Sequence, residues 1–220
     1  MRISGGSWRG RSLVSPSDQR VRPTSERIRQ VLFNMLGEQL HHARVLDLFA
    51  GTGALGLEGL SRGAGWATFV DNHPASLKLL QTNIERCQAQ EWVRVVKGSV
   101  LSPGTFARLS QGLAASDKGS ISAEETLATG AGPPFDLIFL DPPYGRNLVE
   151  GALVALARAG EKLLAGEALA ISPHEVEMTP PRGIDGWHFH QTRTHGSTSL
   201  TFWRWGRPEA GRDQEEQNDS

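Results

Sequence analysis

The sequence predicts an α/β fold in which helices cover a mostly parallel β-sheet. Strand-like segments alternate with helix-like segments from Arg44 to Ser172, and several of the strands are apolar on both faces. In addition, residues 187–205 form two strand-like runs that turn at Gly196. Such an antiparallel pair commonly forms one edge of an otherwise parallel sheet.

The composition is that of a soluble globular protein with one main domain. Of the 220 residues, 38% are hydrophobic and 21% are charged, and no run approaches the roughly 20 apolar residues of a membrane span. The first residues carry charge without an apolar core, which argues against a secretory signal. The single cysteine, Cys87, excludes an intramolecular disulfide and a zinc site built on several cysteines. We therefore expect a cytoplasmic protein.

The amino-terminal residues predict a basic arm. Residues 1–30 contain seven arginines and two acids, whereas residues 207–220 contain two arginines and five acids. Residues 2–14 alternate loosely around glycine turns, which predicts a short hairpin that carries Arg9 and Arg11. Because arginine binds phosphate and stacks on bases, the arm indicates a polyanionic partner. The alternative is a solvated basic end in a chain that prefers arginine to lysine throughout.

The remaining elements are predicted from hydrophobic spacing and turn signals. A helix with an apolar stripe from Ile28 to Leu36 follows a cap at Thr24 or Ser25, and Arg27 and Arg29 lie off that stripe, where they can face a ligand or solvent. Five strands are expected at 44–50, 67–72, 93–99, 135–141 and 168–172. Two further helices are expected, one from the glycine loop to about Arg62 and one from Pro74. The expected organisation is a hairpin and arm (1–24), one α/β domain (25–206) with a flexible insertion (110–132), and a disordered acidic tail (207–220).

The segment Gly51-Thr52-Gly53-Ala54-Leu55-Gly56 follows a strand and opens a helix. Gly51 can adopt a positive φ, and Gly53 would let a ligand approach the backbone. Asp71 ends the next strand 20 residues after Gly51, where it can accept hydrogen bonds from the ribose hydroxyls of an adenosine. These features predict a nucleoside-cofactor site at the carboxyl ends of the strands. The alternative is that the glycines serve helix–strand packing and Asp71 caps the next helix.

Asp47 bears on which cofactor is bound, because a pyrophosphate cofactor and S-adenosylmethionine share this scaffold. It lies four residues before Gly51, at the end of the preceding strand. A carboxylate there suits the cationic amino group of a methionine better than an anionic pyrophosphate. Asp47 therefore favours S-adenosylmethionine, although it can also cap N–H groups of the loop.

The fourth strand ends in Asp141-Pro142-Pro143-Tyr144. The two prolines fix φ and remove two N–H donors, and residues before proline stay extended. The segment therefore presents two acceptors, the Asp141 carboxylate and the Pro142 carbonyl, beside the flat face of Tyr144. That set matches the exocyclic amino group of a base, which donates two hydrogen bonds while its ring stacks on the tyrosine. The alternative is a turn that merely ends a strand.

Four stretches together resemble the bacterial 16S ribosomal RNA guanine-N2 methyltransferase family of the RsmD type, which modifies guanine 966. They are RISGGSWRGRSL (2–13), RPTSERIRQVLFNML (22–36), VLDLFAGTGALGLEGLSRGA (45–64) and FDLIFLDPPYG (135–145). The resemblance implies a Rossmann-like class I methyltransferase fold with seven strands, an antiparallel carboxy-terminal edge and a small N-terminal hairpin. It also implies S-adenosylmethionine as methyl donor and 16S rRNA, within a small-subunit particle, as the partner. No metal site and no obligate protein partner are expected.

The expected site residues fall into three groups. The expected catalytic residues are Asp141, Pro142, Pro143 and Tyr144. The expected cofactor-binding residues are Asp47, Phe49, Gly51, Thr52, Gly53, Asp71, Asn72, Ser99, Val100 and Asp141. The expected RNA-binding residues are Arg9, Arg11, Arg22, Thr24 and Arg27. The sequence departs from the family after the third strand, where Lys97-Gly98-Ser99-Val100 replaces the acid or amide that many methyltransferases place toward adenine, and in the long insertion 110–132.

The sequence is also compatible with three other functions. Asp-Pro-Pro-Tyr also permits methylation of another exocyclic amine, such as adenine N6 in DNA. The glycine loop also permits a nicotinamide-dependent dehydrogenase, although no proton-relay residue is evident near the pocket. An RNA-binding assembly factor without catalysis would have no need of the acceptor loop.

Overall fold

The computed structural model of the chain describes residues 1–16, 25–111, 134–143, 148–176, 181, 183–184 and 186–206. The helices in this part of the chain are α1 (Glu26–Leu36), α2 (Ala54–Ser61), α3 (Pro74–Cys87), α4 (Pro103–Ser110) and α5 (Leu148–Ala159). The strands are β1 (Arg44–Asp47), β2 (Trp66–Asp71), β3 (Val93–Lys97), β4 (Phe135–Phe139), β5 (Leu164–Glu175), β6 (Gly183–Ile184), β7 (Trp187–His195) and β8 (Thr198–Trp205).

The described strands form one sheet in the order β3-β2-β1-β4-β5-β8-β7-β6. The first five are parallel, and β8, β7 and β6 continue the sheet with antiparallel pairings. This confirms the predicted α/β class and its antiparallel edge, and the two-residue β6 adds a strand to the seven expected. The strand order reverses between β1 and β4, which is where open α/β sheets bind ligands.

Two hydrophobic cores cover the two faces of the sheet. Side chains alternate along each strand, so Val45 of β1 enters one core and Leu46 enters the other. The first core joins the sheet to the N-terminal hairpin, α1, α2 and α3, and the second joins it to α4 and α5. Cys87 is buried in the first core, and Trp187 and Trp203 are buried in the second. The site at the carboxyl ends of β1, β2 and β4 therefore stands on a sheet that is packed on both sides.

The predicted N-terminal hairpin is present and is docked on α2. Its strands meet at an antiparallel bridge between Arg2 and Ser12, and the Ser7 N–H donates to the Ser61 carbonyl at 2.7 Å. Ser61 Oγ in turn accepts from the Trp8 N–H at 2.9 Å and donates to the Gly5 carbonyl at 2.6 Å. The hairpin is thus held by backbone contacts as well as by its buried apolar side chains.

Helix α1 begins where the sequence predicts, because Ser25 caps it through Oγ, which accepts from the Ile28 N–H. The expectation that Arg29 faces a ligand or solvent is wrong. Its side chain is 1% exposed, donates through Nη2 to the Arg2 carbonyl at 2.7 Å and lies 3.9 Å from the Glu58 carboxylate. Arg29 is on the buried face of α1, where these polar partners satisfy its guanidinium.

Several expectations fall on residues outside the described ranges. They include most of the 110–132 insertion, the 207–220 tail, and the arm residues 17–24 that follow the hairpin. Helices α4 and α5 and strand β6 were not predicted, since short or Ala-rich segments give weak periodicity. Within the described residues, no helix has the length and apolar character that a membrane span requires.

Candidate active site

Three carboxylates from three adjacent strands meet at the carboxyl edge of the sheet. Asp47 is the last residue of β1, Asp71 is the last residue of β2, and Asp141 follows β4. Parallel strands end on the same edge, so the three acids are brought together although they are far apart in sequence. Burial raises the pKa of Asp47, and the negative charges of Asp141 and Asp71 raise it further, as expected for carboxylates at one edge of the sheet.

Asp71 ties the glycine loop to the next strand. Its Oδ2 accepts from the Gly51 N–H at 2.8 Å and its Oδ1 accepts from the His73 N–H at 2.8 Å, just before α3. Each carboxylate oxygen can accept a second hydrogen bond. Asp71 therefore supports the loop and the start of α3, and it retains acceptor capacity for ligand hydroxyls.

The glycines of the loop have different roles. Gly51 and Gly53 have φ of 54° and 79°, a conformation that L-residues with a Cβ rarely adopt. A Cβ on Gly53 would collide with Leu80, and one on Gly56 would collide with the Phe69 ring, whereas one on Gly51 would meet only the Phe49 carbonyl at 3.9 Å. The missing side chain of Gly53 thus makes room for α3 rather than for a ligand, and the close backbone approach is available at Gly51.

Asp47 is a buried acid with spare acceptor capacity. It is 1% exposed, and its Oδ2 accepts from the Gly56 N–H at 3.1 Å. Its Oδ1 is buried and has no hydrogen-bond partner among the described residues. Burial raises the pKa of Asp47 to about 7, and the neighbouring Asp141 and Asp71 add to that shift, while the N–H groups of Gly56 and Phe49 oppose it. A cationic ligand group at Oδ1 would supply the missing partner, so the site fits a ligand with an ammonium group.

The acceptor segment after β4 begins where the sheet ladder ends. The Leu140 N–H donates to the Ile171 carbonyl of β5 at 2.8 Å, and Asp141 follows without a strand assignment. Asp141 and Pro142 are half-buried and Pro143 is exposed, so the segment does not pack into the interior. Tyr144 lies outside the described residues.

A buried arginine lies within electrostatic range of this segment. Burial lowers the pKa of the Arg29 guanidinium, and the carboxylates of Glu58, Glu26 and Asp141 oppose that shift. Glu58 lies 3.9 Å from Arg29, and the charge of Asp141 acts on Arg29 more weakly than that of Glu58.

The remaining predicted cofactor-binding residues differ in their burial. Thr52 and Val100 are buried, Phe49 is half-buried, and Asn72 and Ser99 are exposed. Ser99 Oγ accepts from the Leu101 N–H at 3.3 Å, and the Val100 side chain belongs to the core beside α4 and α5. Any contact of Val100 with a ligand would therefore use its backbone.

The predicted RNA-binding arginines differ in their exposure and in their hydrogen bonds to the rest of the chain. Arg9 is exposed at the turn of the hairpin, and Arg27 is exposed in the first turn of α1. Arg11 instead donates through Nη1 to the carbonyls of Arg86 and Cys87, at 3.1 and 2.8 Å, at the carboxyl end of α3. Arg22 and Thr24 lie outside the described residues.

Two buried polar residues that support the site were missed from the sequence. Glu58 is fully buried in α2 and accepts from the Ser4 N–H, Ser4 Oγ and Arg62 Nε at 2.7 to 2.8 Å. Asn83 is fully buried in α3 and contacts both the hairpin and the glycine loop. The available signals were a glutamate within an otherwise small and apolar helix, and an amide on the inner stripe between Leu80 and Cys87.

Comparisons with known proteins agree with this architecture. The sequence profile of the family described as "Conserved hypothetical protein 95" matches residues 1–204. A relative in Escherichia coli K12, "Ribosomal RNA small subunit methyltransferase D", is 33% identical over 204 residues, which cover 93% of this chain and 89% of the relative. The protein of the same name in Haemophilus influenzae is 34% identical over 209 residues, which cover 93% of this chain and 93% of the relative.

Solved structures show the same fold. "Putative methyltransferase yhhF from Escherichia coli" superimposes with a TM-score of 0.70 at 33% identity, covering 94% of this chain and 98% of that one. The rRNA methyltransferase aviRa from Streptomyces viridochromogenes, at 17% identity, shares the fold with a TM-score of 0.59. The Rossmann-like methyltransferase fold expected from the sequence is thereby confirmed.

Proposed function

The chain belongs to the family of conserved hypothetical protein 95, and from that premise we propose that it is an rRNA methyltransferase that transfers a methyl group from S-adenosylmethionine to N2 of a guanine in 16S rRNA. Guanine 966 is the target by resemblance. The relatives named ribosomal RNA small subunit methyltransferase D match it over nearly their whole length. Membership supports the reaction class, and the arrangement of the site supports the donor and the acceptor group.

The observation that carries the proposal is the position of Asp141 relative to Asp47. Asp47 pairs with Phe139 across β1 and β4, and Asp141 comes two residues after Phe139, just beyond the end of β4. Two residues of extended chain span about 7 Å, and adjacent strands lie about 5 Å apart. The acid assigned to the donor and the acid assigned to the target amine are therefore neighbours, as transfer between two bound molecules requires.

On this proposal different residues bind different parts of the methyl donor. Asp47 Oδ1 accepts from the ammonium group and Asp71 accepts from the ribose hydroxyls, while Gly51 allows the close approach of the backbone. The unpartnered, buried oxygen of Asp47 supports a cationic ligand over a pyrophosphate. When bound, S-adenosylmethionine supplies a methyl group made electrophilic by its sulfonium.

Asp141 and Pro142 position the acceptor. The Asp141 carboxylate and the Pro142 carbonyl each accept one N–H of the guanine amino group, which turns the nitrogen lone pair toward the methyl carbon. S-adenosylmethionine would supply the methyl group and would leave as S-adenosylhomocysteine, and the Asp141 carboxylate would accept the proton that the nitrogen loses once it is alkylated. No strong base is required earlier, because the proton becomes acidic only once the nitrogen is alkylated.

The substrate base has to leave its stack to reach this segment. An amino group inside a helix cannot lie between Asp141 and Pro142, so the guanine is flipped out or already unpaired. Stacking of its ring on Tyr144 would hold it there. The exposed Arg9 and Arg27, together with Arg22, would bind the surrounding phosphates.

The test is to map methylated nucleosides of rRNA by mass spectrometry in cells with and without this protein. We expect loss of one N2-methylguanosine in 16S rRNA, and its return when purified protein and S-adenosylmethionine are added. The addition is made in parallel to free 16S rRNA and to small-subunit particles from the deficient cells, which separates the two forms of the substrate. An unchanged 16S pattern would refute the proposal, and a methylated adenine in DNA would support the alternative acceptor.

A further inference from the structure

Asn83 connects two parts of the molecule that have separate proposed functions. It lies in the third turn of α3 and is fully buried. Its Oδ1 accepts from the Val14 N–H at 2.7 Å, and its Nδ2 donates to the carbonyls of Val14 and Thr52 at 3.0 and 2.9 Å. One planar amide thus holds the end of the N-terminal hairpin and the middle of the glycine loop at once.

The contact at Thr52 fixes the shape of the loop. Asn83 holds the Thr52 carbonyl, and the N–H at the other end of the same peptide unit, on Gly53, donates to the Ala50 carbonyl at 2.7 Å. Because a peptide unit is planar, these two bonds fix the orientation of the unit that joins Thr52 to Gly53. A ligand that shifts this backbone must also shift or break the bond to Asn83.

The contacts at Val14 transmit such a shift to the hairpin. Asn83 holds both the N–H and the carbonyl of Val14, and Arg11, three residues earlier, is held by the carbonyls at the end of the same helix. This strand of the hairpin is therefore expected to move together with α3. Arg9, the exposed cation at the hairpin turn, belongs to the same short hairpin.

We propose that Asn83 is a positioning residue that couples cofactor binding in the glycine loop to RNA binding by the N-terminal hairpin. The inference rests on the proposed function, which assigns the cofactor to the loop and RNA to the hairpin. Beyond that function, the inference states that the two binding free energies are coupled and that the Asn83 side chain carries the coupling. A purely structural Asn83 would satisfy the same buried backbone groups without linking the two affinities.

The test measures the affinity of the full chain for 16S rRNA from deficient cells, with and without saturating S-adenosylhomocysteine. For the wild type we expect the dissociation constant for RNA to differ about fivefold or more between the protein with and without S-adenosylhomocysteine. By linkage, RNA must change the affinity for S-adenosylhomocysteine by the same factor. In Asn83→Leu, which removes all three hydrogen bonds, we expect the ratio of the two dissociation constants for RNA to fall below about twofold. Loss of stability alone leaves this ratio unchanged when both measurements are made on fully folded protein, which thermal unfolding with and without S-adenosylhomocysteine checks.

A second variant and a matched control complete the experiment. Asn83→Ala removes the same three hydrogen bonds without placing a branched apolar side chain beside the two carbonyls, so it should lose the coupling even where Asn83→Leu fails to fold. Gln81→Leu removes an exposed amide of the same helix, which donates only to Glu85 in the described structure, and should keep the wild-type ratio.

The outcomes separate the two hypotheses. A wild-type ratio of one, or a ratio that persists in both Asn83 variants, overturns the coupling while methylation of rRNA continues. A protein that neither binds S-adenosylhomocysteine nor methylates rRNA refutes the proposed function, and the coupling fails with it.

Discussion

The carboxylate of Asp47 accepts a hydrogen bond from the backbone N–H of Gly56 at 3.1 Å, across the glycine loop that separates the two residues. Its second oxygen is buried without a hydrogen-bond partner in the described part of the chain. Burial raises the pKa of this carboxyl to about 7. At neutral pH its charge therefore depends on what is bound beside it.

Binding of a cofactor with an ammonium group is expected to release a proton from Asp47. A positive charge close to a carboxyl lowers its pKa, so a group that is mostly protonated at about pH 6 ionises on binding. Calorimetric titration of S-adenosylhomocysteine in buffers of different ionisation enthalpy measures the released protons. We expect roughly one proton per ligand at about pH 6 for the wild type and close to none for Asp47→Asn. Equal release in both proteins would remove Asp47 from the cofactor site.

The same shift predicts how the stability of the ligand-free protein varies with pH. The pKa of Asp47 is about 7 in the folded protein against the ordinary value of 3.8, so between these values the folded state holds a proton that the unfolded chain has lost. The contribution of Asp47 to the free energy of unfolding therefore falls by about 1.4 kcal/mol per pH unit as the pH rises through this window. Urea denaturation from about pH 5 to 8 should show a flatter profile for Asp47→Asn. Parallel profiles for the two proteins would contradict the prediction.

Much of this site could be predicted from local sequence, because its main elements are strand ends followed by short loops. Asp71 ends a buried strand, the glycine loop and the segment from Asp141 come within a few residues of the end of one, and a parallel sheet brings such ends together. The role given to Gly53 could not be predicted, because it depends on Leu80 from a helix that packs against the loop.

The buried polar contacts could not be predicted from the sequence. Arg29 and Glu58 are 29 residues apart, and nothing in either helix alone indicates that they pair. Asn83 contacts Val14 and Thr52, which lie 69 and 31 residues away. Partners at these separations are set by the docking of the hairpin on α2 and α3, which is a property of the whole fold.

Gly6→Ala should weaken the docking of the hairpin much more than Gly10→Ala. Both glycines have positive φ, 76° and 84°, but a Cβ on Gly6 would collide with the Ser61 carbonyl, whereas one on Gly10 would meet nothing within 4 Å. Backbone strain alone costs about 1–2 kcal/mol, so Gly10→Ala is the matched control. Urea denaturation should show a clearly larger loss for Gly6→Ala, and equal losses would mean that the hairpin can move away from α2 without cost.

Arg9→Ala and Arg11→Ala should separate RNA binding from stability. Arg9 is exposed, so its removal should weaken RNA binding and reduce the salt slope by about 1, with no change in unfolding. Arg11 is bound to two carbonyls at the end of α3, so its removal should cost about 1 kcal/mol of stability. Binding isotherms at several salt concentrations, together with thermal unfolding, measure both effects. An unchanged slope for Arg9→Ala would exclude it from the RNA contacts.

Asp141→Ala should abolish methyl transfer and leave cofactor binding largely intact. The variant loses one of the two acceptors proposed for the target amine, and the loss of a preorganised electrostatic partner of this kind costs roughly 100-fold or more in rate. Single-turnover transfer from labelled S-adenosylmethionine to 16S rRNA measures the rate, and calorimetry with S-adenosylhomocysteine measures binding. Because the charge of Asp141 contributes to the raised pKa of Asp47, the variant should also release fewer protons on binding than the wild type.

Asp136→Asn is the matched control, since it changes an acid of β4 at the end of that strand opposite to the site. Asp136 Oδ2 accepts from the Arg44 N–H at 2.8 Å, so this change can lower stability but removes no acceptor near the target base. The folded fraction of Asp136→Asn should therefore methylate at the wild-type rate, while a fully folded Asp141→Ala does not. Full activity in Asp141→Ala would show that the amine is held by other groups, and the acceptor role of the segment after β4 would have to be given up.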